Sequence, residues 1–435
     1  MQNAVTRVMG TQTFTEFVLT VKLTSGADST YSFSPVLVDT FHIVQNFSDD
    51  YTDNITISFL ASANDYANIY DNRTELLATI KIVYIDSHDQ SGNKVYDPAP
   101  ITKQYTAIML DPKNIRAQIP RTKDFSYPLI TQTDVPNVPV HLQLIETPIY
   151  KLRHRQFHGM FSNCTVTSVM RAAAQFFGMT QVYMVPPDNT NTYEHLIIPP
   201  AKELSDIFDY LQDTYGIYMK GCEFYYTGGI LYVYPPYENE PAIEYHANIF
   251  NSFGGMYSGS ISYHLKEDKT ISIISNQKAD TKDLTNSAAE NHGTAATFLR
   301  SSRVIDQYTT TDASGTKIAS DNALNVSVDG IAPVVTNSNN SKYKRASDNI
   351  FRESSELAKY QAILIKCGWT NALPYSIYPG HAVHYYFDDG GVFQKYKGIF
   401  EGIEYMVKQS KKGSTGQSYF CSANMVFRAV PESTR

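Results

Sequence analysis

The segment PPAKELSDIFDYLQDTYGIYMKGCEFYYTGGILYVY, residues 199–234, combines a helix pattern with a hairpin pattern. A helix is expected from its two prolines to Tyr215, because proline fits a first helical turn and the apolar residues recur at helical spacing. Gly216 follows as the residue that ends the helix. A short strand is predicted at 217–219, and the turn at 227–229 joins two strand patterns into a hairpin. The helix stripe is Leu204, Ile207, Phe208 and Leu211, and the hairpin arms are Glu223–Tyr226 and Ile230–Tyr234.

A second helix is predicted on the N-terminal side of that segment, over Thr165–Phe177. Apolar residues recur along one side of it, and Gly178 follows in a position where glycine commonly ends a helix. Pro235 and Pro236 bound the hairpin at its far end. Residues 149–236 are therefore predicted to form a compact α/β module. The apolar side of this helix consists of Val166, Val169, Met170, Ala173 and Phe177.

Strand patterns lie on both sides of the module. In residues 1–148 apolar and polar residues alternate with the period of two that a half-buried strand shows. Pro139 lies in the last of these runs and places that strand at a sheet edge or a bulge. Residues 265–345 are polar and are predicted as loop, and a helix capped by Asp348 is predicted over 346–366. The predicted strands are 17–23, 55–59, 80–84, 105–110, 138–144, 382–387, 397–407 and 419–427, and the apolar side of the last helix is Ile350, Leu357, Ile363 and Leu364.

The composition argues against several classes of protein. Charged residues make up 18% of the 435, against about 25% in average proteins, and uncharged polar residues replace them. That mixture favours exposed β-structure. The net charge is −7 without a cluster of Lys and Arg, which argues against a dedicated nucleic-acid binder. We expect no membrane span, because no apolar run approaches the required length of about 18 residues, and no secretory signal, because the first residues have no apolar core.

Neither metal binding nor a disulfide framework is expected. The four cysteines lie far apart without a CxxC pair, so we expect reduced thiols. His154 and His158 are four residues apart, and His154 lies in the basic stretch 151–155. His381 and His384 are three apart in a predicted strand, where that spacing means opposite faces. Surface or hydrogen-bonded histidines are the expected interpretation of both pairs.

No motif of a known catalytic chemistry occurs in the sequence. Phosphate loops, nucleophile elbows and HExxH motifs are lacking. Cys164 lies at a predicted helix start, where the helix dipole lowers a thiol pKa, but a buried or capping cysteine is the expected interpretation. Asp388-Asp389 is predicted as a turn, and the basic stretch 151–155 as a solvated strand end. The tyrosines of 224–226 and 232–234 either pack on their own sheet or form a contact surface. We therefore predict no catalytic, cofactor-binding or metal-binding residues.

Two stretches of the chain together resemble one known family. The first is the helix, Gly-Ile-Tyr and hairpin of 199–234, to which the earlier predicted helix adds a companion. The second comprises 373–383 with its Pro-Gly pair, the strand GIFEGIEY at 398–405, and the last strand, 419–428, which ends in Arg. The first stretch resembles the helix-hairpin module of baseplate hub proteins from tailed bacteriophages. The second stretch resembles the closing barrel of the same hub proteins. These hub proteins are related to the base of type VI secretion spikes. Tyr405 stands where histidine is common in that family.

The resemblance implies a fold for the whole chain. It would be mainly β with an α/β insert, made of two tail-tube-like antiparallel β-barrel domains and a small helix-hairpin module. Residues 1–148 would form the first barrel domain and 149–236 the module. Residues 237–345 would supply strands and polar loops that link or complete the barrels, and 346–435 a helix and the second barrel domain.

The resemblance also implies a structural role in the virion rather than an enzymatic one. Hubs of this family form a trimeric ring of pseudo-sixfold symmetry that joins the central spike to the tail tube and leaves a channel for DNA. The implied partners are two further copies of the chain, the spike, tail tube or tube-initiator proteins and other baseplate proteins. No cofactor is implied, and DNA would pass through the lumen without specific binding, which an acidic protein suits. The implied location is the tail baseplate, after assembly in the cytoplasm of the bacterial host.

Two other functions stay open at this point. One is a different β-rich tail protein, such as a fibre connector or a receptor-binding module. The other is a tail-associated cell-wall hydrolase, which would use Cys164 or a pair of carboxylates beside a histidine.

Overall fold

The computed structural model describes most of the chain. It covers residues 16–26, 31–85, 87–88, 94–96, 99–110, 137–152, 155–200, 203–238, 246–251, 263–267, 269–275, 277–284, 307–311, 317–321, 325–326, 334–335, 350–359, 361–389, 392–410 and 418–432. The helices there are α1 (Ala63–Asp71), α2 (Thr147–Leu152), α3 (Val166–Phe176), α4 (Leu204–Thr214) and α5 (Ile350–Lys359). Within these ranges no helix is both long and apolar enough to cross a lipid bilayer.

The strands of the described ranges follow in chain order. They are β1 (Phe17–Ser25), β2 (Ser32–Phe33), β3 (Val38–Asn46), β4 (Asn54–Ala61), β5 (Leu76–Tyr84), β6 (Ser87–His88), β7 (Lys94–Tyr96), β8 (Ile101–Met109), β9 (Val138–Glu146), β10 (Gly159–Thr165), β11 (Gln181–Met184), β12 (Thr192–Ile198), β13 (Glu223–Thr227), β14 (Ile230–Tyr234), β15 (His246–Asn251), β16 (Tyr263–Lys266), β17 (Thr270–Ser275), β18 (Asp280–Asp283), β19 (Gln307–Thr311), β20 (Lys317–Asp321), β21 (Asn325–Val326), β22 (Val334–Val335), β23 (Ile363–Trp369), β24 (Ala382–Asp389), β25 (Val392–Gln409) and β26 (Tyr419–Pro431).

Eight strands close into a ring of antiparallel, hydrogen-bonded neighbours, which we call the first barrel. Their order is β25, β3, β4, β9, β8, β5, β1 and β26, and β26 pairs with β25 again. The contact between β1 and β26 is made at Phe17 and Tyr419. The odd-numbered residues of β1 are buried and most of the even-numbered ones are exposed, as in a strand with one apolar face. Closure leaves no bare edge around this ring.

A second set of strands, the second barrel, continues from the same two long strands. Its order is β16, β17, β15, β24, β25, β26, β23 and β18, and β15 runs parallel to both β17 and β24. The sheet curls so that β16 and β17 at one end contact β23 near the other, although among the described strands no ladder joins β16 to β18. The Ser275 hydroxyl on β17 donates to the Gly368 carbonyl on β23 at 2.6 Å, and the His264 ring on β16 lies 5.3 Å from the buried indole of Trp369.

β25 and β26 belong to both barrels, and a bulge adapts β25 to this double role. The N-terminal half of β25 pairs with β24 and its C-terminal half with β3. Its register against β26 shifts by one residue at Glu401. Before the shift Phe400 pairs with Phe427, after it Ile403 pairs with Met425, and all four side chains are buried. The bulge thus keeps apolar side chains inside on both sides of the point where the strand changes partner.

The α/β module has a core of its own. Helices α3 and α4 pack with the sheet β11–β14–β13 and the pair β10–β12 around buried apolar residues. The Thr165 hydroxyl caps α3 by accepting from the Ser168 amide at 3.2 Å. Gly216, with φ +80°, ends α4. A backbone hydrogen bond ties the module to the first barrel. In it the Tyr226 amide donates to the Tyr51 carbonyl at 2.9 Å.

The predicted fold class, mainly β with an α/β insert, is confirmed. The hairpin of β13 and β14 and the helix α3 lie where their patterns predict them. Pro139 was predicted to place its strand at a sheet edge or a bulge, and this is wrong, because β9 lies between β4 and β8 in the closed first barrel and its register against β4 runs without a shift through the pair Pro139–Leu60. The proline is the second residue of β9 and precedes the described pairing of β9 with β8. The division into four segments at 148, 236 and 345 stays a prediction, since β25 and β26 serve both barrels.

Several predicted elements need correction. α4 begins at Leu204 rather than at the prolines, and 217–219 forms turns instead of a strand. The helix predicted over 346–366 ends at Lys359, and Ile363 begins strand β23 because that segment pairs with β26. The predicted cap Asp348 lies outside the described residues.

Part of the polar stretch 265–345 is also strand rather than loop. β17 and β18 lie within it, and β16 ends in it at Lys266. The strand β3 and the helix α1 were not predicted, although the Ser62 hydroxyl caps α1 by accepting from the Asp65 amide. The short polar strand β18 has four exposed residues and still belongs to the sheet, because it pairs with β23, which supplies the buried face.

Candidate functional site at the junction of barrel and module

A buried carboxylate joins the module to the first barrel. Asp53 precedes β4, and its side chain is fully buried. Its Oδ1 accepts from the Gln45 amide at 2.8 Å and from the Tyr225 hydroxyl at 3.1 Å. Its Oδ2 accepts from the Thr227 hydroxyl at 2.9 Å, and the Lys103 Nζ lies 3.7 Å away. Since Tyr225 and Thr227 belong to the hairpin, Asp53 holds the hairpin against the barrel wall.

A second buried carboxylate binds the turn of the same hairpin. Glu146 ends β9, and its Oε1 accepts from the Gly228 amide at 2.7 Å. Burial raises the pKa of Glu146 to about 7, and the negative charge of Asp53 adds to this, while Lys103 and the turn amides oppose it. The φ of Gly228 is +61°, which a glycine adopts without strain.

Lys103 and two tyrosines complete this junction cluster, which comprises Asp53, Glu146, Lys103, Tyr105 and Tyr375. The Lys103 Nζ lies 3.9 Å from the centroid of the Tyr375 ring, a cation–π geometry. The Tyr375 hydroxyl is 3.0 Å from the Tyr105 hydroxyl, and burial raises the pKa of both tyrosines. Tyr375 has a φ of +58°, which side-chain-bearing residues adopt rarely. The cluster therefore brings together four chain segments, the start of β4, the strand β8, the end of β9 and the segment between β23 and β24.

A cavity of about 300 Å³ lies beside the junction cluster. A carboxylic acid with a raised pKa beside a cavity is a pattern found at acid–base sites. However, neither Asp53 nor Glu146 is among the described residues that line this cavity, and both carboxylates accept hydrogen bonds from the hairpin, Asp53 from Tyr225 and Thr227 and Glu146 from Gly228. The lining is Gln45, Ile101, Lys103, Thr227, Gly228, Ile230, Tyr232, Tyr375, Ile377 and Tyr378. The arrangement therefore favours docking of the hairpin over proton transfer.

The pKa of Glu146 gives a testable pH dependence. Between about pH 4.5 and pH 7 the folded protein holds a proton that the unfolded chain has lost, so the free energy of unfolding falls as pH rises through this window and is level above it. Across this window the free energy of unfolding should fall by about 3 kcal/mol in total. In Glu146→Gln this part of the pH dependence should vanish, because the amide oxygen still accepts from Gly228 but does not titrate.

The measurement is urea unfolding at intervals from about pH 5 to about pH 8. The exposed Glu194→Gln is the matched control and should retain the slope of the parent protein. An unchanged slope in Glu146→Gln would mean that another group carries the pH dependence.

A second buried contact fastens the shared strands at the bulge. The Arg428 Nε donates to the Glu401 Oε1 at 2.8 Å, and both side chains are largely buried. Arg428 Nη1 also donates to the carbonyl of Lys359 at the end of α5, and the guanidinium lies 4.5 Å from the Tyr237 ring centroid. Arg428 is the arginine that ends the last strand of the resemblance. It connects the shared strand β26 with the end of α5 and with the segment that follows the module.

The cysteine singled out in the sequence has no activated thiol. Cys164 lies in β10 just before the cap of α3, and its Sγ donates to the Phe161 carbonyl at 3.5 Å. Burial raises the pKa of this thiol, contrary to the effect of a helix start. His158 is exposed, while His154 lies outside the described residues.

The second histidine pair of the sequence analysis, His381 and His384, is not arranged around an ion. His381 precedes β24 and is buried, and burial, together with His246 and Lys266, lowers its pKa to about 3. The Nδ1 of His384 lies 3.3 Å from the Asn248 Oδ1. Among the described residues no group of three or more His, Cys, Asp or Glu side chains has a geometry that could hold a metal ion.

The remaining candidates have structural positions. Asp388 and Asp389, predicted as a turn, are instead paired residues of β24, and 390–391 lie outside the described residues. Lys151 is exposed at the end of α2, and most of the hairpin tyrosines are buried, with Tyr232 lining the cavity. Sequence reasoning missed Asp53 and Glu146. The sequence did contain a signal for both. Buried and less buried residues alternate along β4 and β9, and Asp53 and Glu146 stand at positions where this alternation predicts a buried side chain.

The fold and this junction define a mainly β protein in which two barrels share strands and carry a docked α/β module. The family model of the bacteriophage PBS1 gene 109 protein matches residues 35–255, half of the chain. The chain therefore belongs to the bacteriophage PBS1 gene 109 protein family. Comparison with curated proteins yields no match. The predicted resemblance to a bacteriophage protein is confirmed at this level.

Comparison with solved structures gives three similar proteins with described roles. A tail protein from Neisseria meningitidis MC58 is 11% identical, covers 94% of this chain and 96% of its own, and has a TM-score of 0.46. The 43 kDa tail protein of prophage MuSo2 from Shewanella oneidensis is 11% identical, with coverages of 95% and 97% and a TM-score of 0.43. An E. coli type VI secretion component with structural similarity to bacteriophage T4 tail proteins is 11% identical, with coverages of 92% and 75% and a TM-score of 0.42. At these scores the family assignment rests on the family model alone.

Proposed function

We propose that this chain is a structural protein of the phage tail and acts as the baseplate hub. Three copies would form a ring that joins the central spike to the tail tube. Two observations support this: the chain belongs to a bacteriophage family, and its segments 199–234 and 373–428 resemble hub proteins. The observation that carries the proposal is the pair of barrels built on the shared strands β25 and β26.

The pair of barrels provides the symmetry that a hub needs. A threefold ring of such chains presents six barrels, so a threefold spike on one side can meet a sixfold tube on the other. The barrels must be held at a fixed angle for six of them to be nearly equivalent. The continuous strands, the Glu401 bulge and the Arg428 ion pair provide that rigidity within one chain.

The proposed partners are two further copies of the chain, the central spike, tail tube or tube-initiator proteins and other baseplate proteins. The proposed location is the tail baseplate of the virion, after assembly in the host cytoplasm. DNA would pass through the central channel without specific binding, and the net charge of −7 suits this because phosphates are not attracted to an acidic surface.

A catalytic role is not proposed. The hydrolase alternative needs an activated thiol or a carboxylate pair facing a substrate. Burial raises the pKa of Cys164, and the carboxylates of Asp53 and Glu146 bind the hairpin. A fibre connector or receptor-binding module would share the β content, but the shared-strand barrel pair and the docked module favour the hub.

Native mass spectrometry tests the oligomeric part of this proposal. The purified chain should appear as a trimer, or as a monomer that becomes a trimer when the spike protein of the same phage is added. A chain that stays monomeric alone and with the spike protein would contradict the hub assignment.

A further inference from the structure

The cavity of about 300 Å³ beside the junction cluster lies at one end of the first barrel, and we call it the mouth cavity. Gln45 stands near the end of β3 and Ile101 begins β8, and both reach the same end of the barrel because neighbouring strands alternate in direction. The hairpin residues Thr227 and Gly228 border the cavity, and so does the segment 375–378. Mouths of β-barrels are frequent sites of small-molecule binding, so the position favours a binding site.

The walls of the mouth cavity are mainly aromatic and apolar. The rings of Tyr232 and Tyr378 are stacked with their centroids 6.5 Å apart. An engineered apolar cavity of about 150 Å³ binds benzene, so the larger mouth cavity has room for a ring system of the size of indole. The apolar and aromatic lining consists of Ile101, Ile230, Tyr232, Tyr375, Ile377 and Tyr378.

Lys103 makes an aromatic guest preferable to an aliphatic one. It lines the cavity, and its Nζ lies 3.9 Å from the centroid of the Tyr375 ring. Its side chain remains 18% exposed, so the ammonium group is not enclosed by the contacts it already makes. A cation attracts the face of an aromatic ring, and a saturated ring of equal size lacks this attraction.

The charges around the mouth cavity favour a neutral guest. The Lys103 Nζ lies 3.7 Å from the Asp53 Oδ2, so its charge is already compensated and offers little to an anion. A cation would find no carboxylate in the described lining, because neither Asp53 nor Glu146 belongs to it.

One polar atom beside the cavity lacks a partner that a guest can supply. Gln45 lines the cavity and is 2% exposed, and its Nε2 donates to the Asp53 Oδ1 at 2.8 Å. The buried Gln45 Oε1 accepts no hydrogen bond from any described residue. Buried polar atoms are ordinarily hydrogen-bonded, so an N–H or O–H group on the guest would satisfy this acceptor.

We propose that the mouth cavity binds a neutral aromatic ring that carries a hydrogen-bond donor, such as an indole or a phenol. The ring face packs against Lys103 and the tyrosine walls, and the donor reaches the Gln45 Oε1. This ring belongs either to a free small molecule or to a tryptophan or tyrosine side chain of another protein. The proposal concerns a single chain and does not depend on the hub assignment.

The test is fluorine NMR of a fluorinated indole titrated with the full chain, followed by competition with unlabelled compounds. We expect saturable binding at or below about 1 mM and displacement by indole. Benzofuran, which has the shape of indole without the donor, should compete about tenfold less well. Cyclohexylmethanol, which has a donor but no aromatic ring, should also compete about tenfold less well.

Two further competitors distinguish the sources of the ring. Competition by the peptide Gly-Gly-Trp-Gly-Gly at concentrations similar to those of indole assigns the cavity to a side chain of another protein. Competition by indole but not by the peptide assigns it to a free small molecule. Both results require an aromatic guest and therefore support the proposal.

Variants of the chain locate the binding. Ile230→Trp fills the cavity with a side chain of the protein itself and should abolish binding of the fluorinated indole. Ile197→Trp, at a half-exposed position on β12 outside the described lining, is the matched control and should bind as the parent protein does. Lys103→Met removes the charge and should weaken indole about tenfold but change cyclohexylmethanol little. Circular dichroism of each variant shows whether it is folded, and Ile230→Trp decides if Lys103→Met is not.

Several outcomes would overturn the proposal. The first is the absence of saturable binding of the fluorinated indole at about 1 mM. The second is competition by benzofuran or cyclohexylmethanol that equals competition by indole. The third is an equal effect of Ile230→Trp and Ile197→Trp, which would place the binding elsewhere on the protein.

Discussion

Replacing Asp53 with alanine should lower the free energy of unfolding by about 3–5 kcal/mol. The fully buried carboxylate accepts from Gln45, Tyr225 and Thr227, and it neutralises the nearby Lys103. Removing it leaves three buried donors without their acceptor, and each costs free energy because it has lost both water and partner. The partly buried Lys103 also loses the carboxylate 3.7 Å from its Nζ. The hairpin should then loosen from the barrel wall.

Urea unfolding at neutral pH, followed by far-UV circular dichroism, measures this effect. Asp39→Ala, at an exposed position on β3, is the matched control and should change stability by no more than about 0.5 kcal/mol. Asp53→Asn keeps one carbonyl acceptor, so its free energy of unfolding should lie between those of Asp53→Ala and Asp39→Ala. If Asp53→Ala were as stable as Asp39→Ala, the carboxylate would not hold the hairpin.

Gly398→Ala should lower the free energy of unfolding at least as much as Asp53→Ala does, by about 3 kcal/mol or more. A Cβ at this position would lie 1.8 Å from the Arg428 carbonyl oxygen and 2.8 Å from the Ala429 Cα. Both atoms belong to the backbone of β26, so no rotation of a side chain relieves the clash. Separating the strands would break the ladder that both barrels share, next to the bulge at Glu401.

The fluorescence of Trp369, the single tryptophan, reports this unfolding because the indole is buried in the second barrel. Gly229→Ala is the control, since its Cβ would meet nothing within 4 Å although its φ is +86°. It should cost only the strain of a left-handed backbone, about 1–2 kcal/mol. Equal losses in the two variants would show that the close approach at Gly398 is not what requires glycine.

Local patterns were sufficient to predict the elements that bury one face. β1 and β4 alternate because each forms a barrel wall with one apolar side, and α3 has helical spacing because it covers the module core. β23 was missed because Ile363 and Leu364 continue an apolar pattern that a helix also satisfies. Its strand conformation comes from pairing with β26, which lies far along the chain.

The closure of the first barrel and the junction cluster depend on distant residues. Phe17 and Tyr419 lie near opposite ends of the chain, and no local pattern contains the information that they pair. Asp53 and Glu146 were overlooked because carboxylates are ordinarily exposed. Their burial follows from the hairpin donors at Tyr225, Thr227 and Gly228, which local sequence does not place beside them.

The central claim, that three copies form a ring of six barrels around a channel, is tested most directly by electron microscopy of the purified protein alone and with its spike protein. Averaged end views should show a threefold ring with a central hole and six similar lobes, two from each chain. Averages of a compact particle without threefold symmetry or a hole, in both preparations, would contradict it.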